Sequence, residues 1–312
     1  MNQVEEKNYL SIGLWLRETY RLAVINFSAS LPALVLFVFP SAILLGVSLW
    51  YAFESVEVVW DPDNFSLSSS GFELSFSFFG FLASIALSYA GLMFLTVLHL
   101  KVLELRKNDS EEDEQTRVPD SFVFDSLKKM PKFFLVGSIN LLVIYICFFS
   151  PNLLRSLNLS DGALALVGLS QLALILFGLL LILVLVFWPI ETFEESQSFV
   201  NALTASARLT FNNFFKVLGR ALILVSICYI TFVAFSTLGD IVLSIFGLNP
   251  ESTQEITLEG GWSTSLRLLI GETPAVAALK IVFNFLGLAI ASMMWLSGLK
   301  LLHTALTNRL DA

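Results

Sequence analysis

Long apolar stretches alternate along the chain with shorter polar ones. Six stand out, at residues 30–53, 78–100, 133–153, 163–189, 217–246 and 276–302. Each is near or above the roughly 20 residues a helix needs to cross a hydrocarbon core about 30 Å thick. The pattern predicts an all-α polytopic membrane protein, one transmembrane domain over 1–312 with six transmembrane helices in three span pairs. Pro40 falls in the middle of the first span and predicts a kink there. Ser41 lies next to it and can satisfy the freed backbone.

Three amphipathic stretches precede the odd-numbered spans, at residues 10–27, 121–132 and 196–215. Apolar residues there recur at spacings of three and four beside basic and small polar ones. Such helices lie half sunk among lipid headgroups. The first and third align: Leu16 to Phe27 lies over Leu203 to Phe214. Leu16, Arg21, Leu22, Asn26 and Phe27 match Leu203, Arg208, Leu209, Asn213 and Phe214, and Thr19 faces Ser206. In the middle copy only Phe133 lines up. The arrangement predicts a threefold repeat of interface helix, span, span.

Composition agrees with a membrane solvent. The chain of 312 residues is 56% hydrophobic and 14% charged, with 29 Phe, whereas an ordinary soluble domain has about 25% charged residues. The net charge of −8 gives no basis for binding nucleic acid. Of the 18 Lys and Arg, all but Arg155, Arg267 and Lys280 fall in the N-terminal segment, the even-to-odd connections with the start of the fifth span, and the C-terminal end. The positive-inside rule therefore places both termini in the cytoplasm. The outer connections are acidic, and Trp50, Tyr51, Trp60 and Trp262 mark the outer boundary, Trp188 the inner one. Residues 108–120 read as a mobile acidic cytoplasmic loop. The start, Met1 to Lys7, lacks the apolar core of a removable signal peptide. Asn64-Phe-Ser66 and Asn158-Leu-Ser160 match a glycosylation sequon, a pattern frequent by chance.

The run Pro189-Ile-Glu191-Thr-Phe-Glu-Glu, then Ala202-Leu-Thr-Ala-Ser206-Ala-Arg-Leu209-Thr and Asn213-Phe214-Phe, resembles an inner-loop pattern. It is the pattern of the membrane domain of bacterial glycerophosphoryl diester phosphodiesterases and related six-helix membrane proteins. The resemblance covers about residues 15–305 in architecture and 189–216 in motif. It implies a fold and a location, the cytoplasmic membrane of a prokaryote. It implies no activity, because those enzymes carry catalysis on a separate soluble barrel.

Ionisable groups inside a membrane are candidates for function, since hydrocarbon makes them costly. Asp240 in span five and Lys280 in span six sit at similar depth if the two helices are antiparallel neighbours, which predicts an ion pair or snorkelling to the outer interface. Asn140, Gln171 and Asn284 are uncharged polar residues deeper in spans three, four and six, where hydrogen bonds between helices account for them. Gly80, Ser84, Ser88 and Gly91 form a small-residue face on span two, read as a contact within the chain with homodimerisation as the alternative. His99 and His303 read as surface residues at the inner interface, and Cys147 and Cys228 as small hydrophobes in apolar runs.

No Walker A, GxSxG, HExxH or dinucleotide motif is present. No catalytic residue, metal site or cofactor is expected. Two functions fit. One is a non-enzymatic membrane protein that organises or assists partner proteins or lipids, the partners being the bilayer and another membrane protein. The other is a transporter or permease for a small molecule or lipid. They separate on whether Asn140, Gln171 and Asn284 line one cavity.

Overall fold

The computed structural model describes residues 11–54, 57–61, 64–68, 71–108, 122–155, 161–194, 199–246 and 273–307. It is almost entirely helical. In chain order come α1 (Ile12–Ile25), α2 (Phe27–Ala33), a π-helical turn (Leu34–Val38), α3 (Phe39–Glu54) and α4 (Gly71–Asn108). Then follow α5 (Phe122–Arg155), α6 (Asp161–Val184), α7 (Trp188–Glu194), α8 (Phe199–Asn212), α9 (Phe214–Ile245) and α10 (Pro274–Thr307). The expected acidic loop beyond Asn108, the third outer connection with Trp262, and Asn158 lie outside the described residues.

Among the described residues five helical segments are long and apolar enough to cross a membrane: Phe27–Trp50, Phe78–Leu105, Ser170–Glu194, Phe214–Ile245 and Ala275–Thr307. The chain is a multi-pass membrane protein. The remaining expected span, residues 133–153, falls within the 34-residue α5. Many large apolar side chains on these helices are exposed, among them Leu36, Phe79, Leu176, Leu222 and Ile230, as a lipid-facing surface requires.

Four local features depart from the sequence reading. First, β1 (Glu57–Asp61) pairs antiparallel with β2 (Asn64–Ser68), Val59 opposite Ser66, so the connection between the first two spans is not purely a loop. Val58, Val59 and Trp60 are strand formers. Second, the first span is broken by the π turn between Pro32 and Pro40. The Phe39 amide bonds Leu34 O, five residues back, and Ser41 Oγ donates to Val38 O at 2.9 Å. A wider turn gives the Pro40 ring room that a regular α-helix would deny it. Third, the fourth span is not one helix: it stops at Val184 and restarts at Trp188, with Pro189 in the first turn of α7, where its missing N–H costs nothing. Fourth, the amphipathic stretch before span three is no separate helix, because residues 122–132 run unbroken into α5.

The chain folds as two compact units. One comprises Met1–Asn26, Thr96–Ser226 and Met294–Ala312. In it Trp15 is 1% exposed and its indole Nε1 donates to Gly298 O at 3.0 Å. Arg220 lies over the same indole, 5.2 Å from the ring. Phe133 packs its ring against Trp188 and Phe193.

The other unit comprises Phe27–Leu95 and Ile227–Met293. Here the small-residue face of α4 meets the first span. A Cβ on Gly91 would stand 2.7 Å from Phe37 Cβ, so only glycine lets the two backbones come this close. Ser84 and Ser88 bond back to their own helix, to Phe81 O and Ser84 O. The Cys228 Sγ lies 3.2 Å from Ala291 O.

Candidate functional site

The first and third amphipathic stretches form two copies of one local structure. Both α1 and α8 have 14 residues, and at one constant offset their first and last residues coincide. Each is followed by an asparagine, Asn26 or Asn213, and the next helix starts at a phenylalanine, Phe27 or Phe214. The buried faces also correspond. Trp15, Thr19 and Ala23 in α1, with Ala202, Ser206 and Thr210 in α8, are all buried. They form a stripe repeating every four residues. The outward faces correspond as well: Arg21 and Arg208 are exposed, as are Val24 and Phe211.

The two stripes use their hydroxyls differently. Thr19 Oγ1 donates to Trp15 O at 2.8 Å within its own helix. Ser206 Oγ reaches the break in span four, accepting from the Phe187 amide at 3.2 Å and donating to Val184 O at 3.1 Å. One side chain thus serves a backbone donor and a backbone acceptor at the break.

That break positions the main polar cluster. The short helix α7 carries Glu191 and Glu194, and the last turns of α10 carry Lys300 and His303. His303 Nε2 is 2.9 Å from Glu191 Oε1, and its Nδ1 is 3.9 Å from Glu194 Oε2. Lys300 forms an ion pair with Glu194. Phe187 meets the imidazole edge-on at 5.7 Å. One helical turn or two earlier on α10, Ser297 Oγ is hydrogen-bonded to His99 Nε2 at 2.7 Å. Both histidines are buried, contrary to the surface placement read from the sequence. Each is tolerated because a buried polar partner meets it.

A serine hydrogen-bonded to a histidine is the pairing that activates a nucleophile. Here Ser297 and His99 are both 0% exposed, and the remaining nitrogen, Nδ1, has no hydrogen-bond partner to fix its tautomer. The hydrogen bond links α4 to α10. Among the described residues no group of three or more His, Cys, Asp or Glu is arranged to hold a metal ion.

The intramembrane residues singled out by sequence divide into a pair and three solitary amides. Lys280 Nζ lies 3.8 Å from Asp240 Oδ1, with Lys280 mostly buried and Asp240 half exposed. Asn140 lines a cleft of about 120 Å³ with Leu185, Trp188, Pro189 and Trp295. Gln171 and Asn284 do not line it. Asn140 Nδ2, Gln171 Oε1 and Asn284 Oδ1 are each buried without a hydrogen-bond partner, so the expected bonds between helices are not made at these atoms.

In the repeated box, Arg21 pairs with Glu18 at 3.5 Å. Asn26 is buried, Asn213 Nδ2 donates to Leu209 O at 3.2 Å, and the Phe214 ring meets Phe215 edge-on. Phe27 is half-buried. Sequence reasoning missed the pairing of His99 with Ser297 and of His303 with Glu191, because the partners lie far apart in the chain. The signal available was a histidine at the end of an otherwise apolar span, which needs a partner if it turns inward.

Compared with known proteins, the chain matches no family profile, no curated sequence and no solved structure.

Proposed function

We propose that the protein is a non-enzymatic organiser of partner proteins or lipids in the cytoplasmic membrane of a prokaryote. In this reading six helices cross the bilayer, α5 supplying the third span, and both termini face the cytoplasm. The observation that carries it is the repeated pair α1 and α8. Each buries a stripe of small and hydroxyl residues and turns outward a basic residue beside large apolar ones, Arg21 with Tyr20 and Val24, Arg208 with Phe211. That composition suits a helix lying in the headgroup layer and presenting a surface to what gathers there. The likeness to the membrane domain of the glycerophosphoryl diester phosphodiesterases supports the same location, and the polar residues act as packing and fastening groups.

The test is gentle purification from the native membrane, with proteins and lipids read together by mass spectrometry. The reading expects stoichiometric association that falls away in the Arg21→Glu/Arg208→Glu variant. Association unchanged in that variant, or none in either form, contradicts it.

Transport is the second reading, favoured by Asn140, which lines a cleft and whose Nδ2 has no hydrogen-bond partner. It requires flux across reconstituted vesicles that Asn140→Leu reduces.

A further inference from the structure

His303 stands between two carboxylates of α7. Its Nε2 is 2.9 Å from Glu191 Oε1, and its Nδ1 is 3.9 Å from Glu194 Oε2. An ionised carboxylate only accepts hydrogen bonds, and a neutral imidazole carries a single N–H. The neutral ring therefore satisfies one acid and turns a lone pair towards the other. The imidazolium carries two N–H groups and a positive charge, and it suits both. The placement of the two acids is thus complementary to the charged ring. Among the described residues, the charged groups about the ring are Glu191 and Glu194 from α7 and Lys300 from α10, the last paired with Glu194. Phe187, at the break, meets the ring edge-on.

Burial is uneven across this group. His303 and Glu191 are almost wholly buried, whereas the Glu194 side chain is 40% exposed. Glu194 is therefore the neighbour past which Nδ1 exchanges a proton with water. The helix that the two acids hold is short and stands at a break. α7 is parted from α6 by residues 185–187. Leu185, Val186, Trp188 and Pro189 line the cleft beside Asn140, and Trp295 of α10 lines it too. The contacts of His303 thus tie one wall of that cleft to the helix that carries another.

We propose that His303 is a proton-operated latch on α7. With both ring nitrogens protonated it ties Glu191 and Glu194 to α10. When Nδ1 gives its proton to water, the Nε2 bond to Glu191 remains, but a lone pair then faces Glu194 and attraction on that side becomes repulsion. α7 then loosens from α10 at the break. The latch is closed in acid and opens as pH rises through the range in which histidine changes charge. It requires neither a partner protein nor a flux, so its test is independent of both readings above.

The chain has only 2 histidines, so isotope-labelled ring nitrogens give few NMR signals, and the His303→Gln variant assigns them. The full chain in lipid nanodiscs is titrated from about pH 5 to about pH 9, on both sides of the ordinary histidine range. The nitrogen spectrum distinguishes the charged ring from the neutral one. In the same samples amide hydrogen exchange is followed over residues 185–194, corrected for the chemical exchange rate at each pH. The expected result is a His303 ring charged at the acid end and neutral at the alkaline end. Across the same step, protection over 185–194 falls by about ten-fold or more, as for one lost hydrogen bond to a charged group. The step in protection is absent in His303→Gln and reduced in Glu194→Gln. A ring that keeps one charge state throughout overturns the latch, as does a ring that titrates while protection stays constant. So does an equal step in His303→Gln. If that variant does not fold, Glu194→Gln, altered at a half-exposed side chain, decides, and an undiminished step there overturns the latch.

Discussion

Thr19 and Ser206 occupy the same place in two copies of one helix, and only Ser206 bonds outside its own copy. Both are buried at the centre of the inward stripe. Ser206 serves the Phe187 amide and Val184 O across the break in span four, whereas Thr19 returns its proton to Trp15 O. Unmet buried backbone groups cost about 1–3 kcal/mol each. Ser206→Ala should therefore destabilise the protein by about 2–3 kcal/mol, and Thr19→Ala by less than about 1 kcal/mol. Thermal unfolding of the two variants in the same detergent compares them directly. Equal losses would mean that Ser206 is not the bridge.

The His303–Glu191 contact fastens α10 to α7, and both side chains are almost wholly buried. Removing the imidazole leaves a buried carboxylate without that partner and a gap beside Phe187. His303→Ala should cost about 2–4 kcal/mol. Groups in one hydrogen-bonded network are not additive. A double-mutant cycle with Glu191→Gln should show a coupling above about 1 kcal/mol, and additivity within error would contradict the contact.

Two glycines should respond to alanine with opposite signs. At Gly91 the new Cβ would meet Phe37 Cβ at 2.7 Å, close to the backbone, where neither helix can yield. Overpacking of this kind costs about 1–3 kcal/mol. At Gly219, within α9, nothing stands within 4 Å of the added atom. Alanine there should stabilise by up to about 1 kcal/mol through helix propensity alone. Unfolding midpoints of Gly91→Ala and Gly219→Ala moving in the same direction would refute the packing described for α4.

Asp240 and Lys280 stand at the outer limit of ion-pair distance, and Asp240 is half exposed. Both residues lie in membrane-crossing segments, where water does not screen the pair. Lys280→Gln leaves the Asp240 charge there without its partner and should lower stability by more than about 1 kcal/mol. The geometry is better tested by cross-linking: Asp240→Cys with Lys280→Cys should join through a short thiol reagent, and failure to join would separate the two helices.

Much of the fold was legible because apolar length alone reports a membrane helix. The repeat was legible too: the shared Asn-Phe at 26–27 and 213–214 marks the helix break in both copies. What the sequence hid depends on contacts between distant residues. The end of α6 at Val184 is prepared by Pro189 but completed by Ser206, from another helix. The burial of His99 and His303 follows from Ser297 and Glu191, whose proximity no local pattern reveals. The unbroken start of α5 was missed for a different reason. Phe124, Lys128 and Lys132 give residues 122–132 the look of an interface helix, but nothing there stops the helix. Both true copies carry an asparagine at the break.

The central claim is that α1 and α8 are equivalent helices lying in one headgroup layer. Val24 and Phe211 hold corresponding outward positions on them. With Cys147 and Cys228 replaced by alanine, a spin label is placed at Val24→Cys or Phe211→Cys in reconstituted bilayers. Its depth is then read from relative accessibility to oxygen and to a water-soluble paramagnetic ion. The account predicts both labels at headgroup level and at the same depth on the same side. One label in bulk water, or one at the bilayer centre, would contradict it.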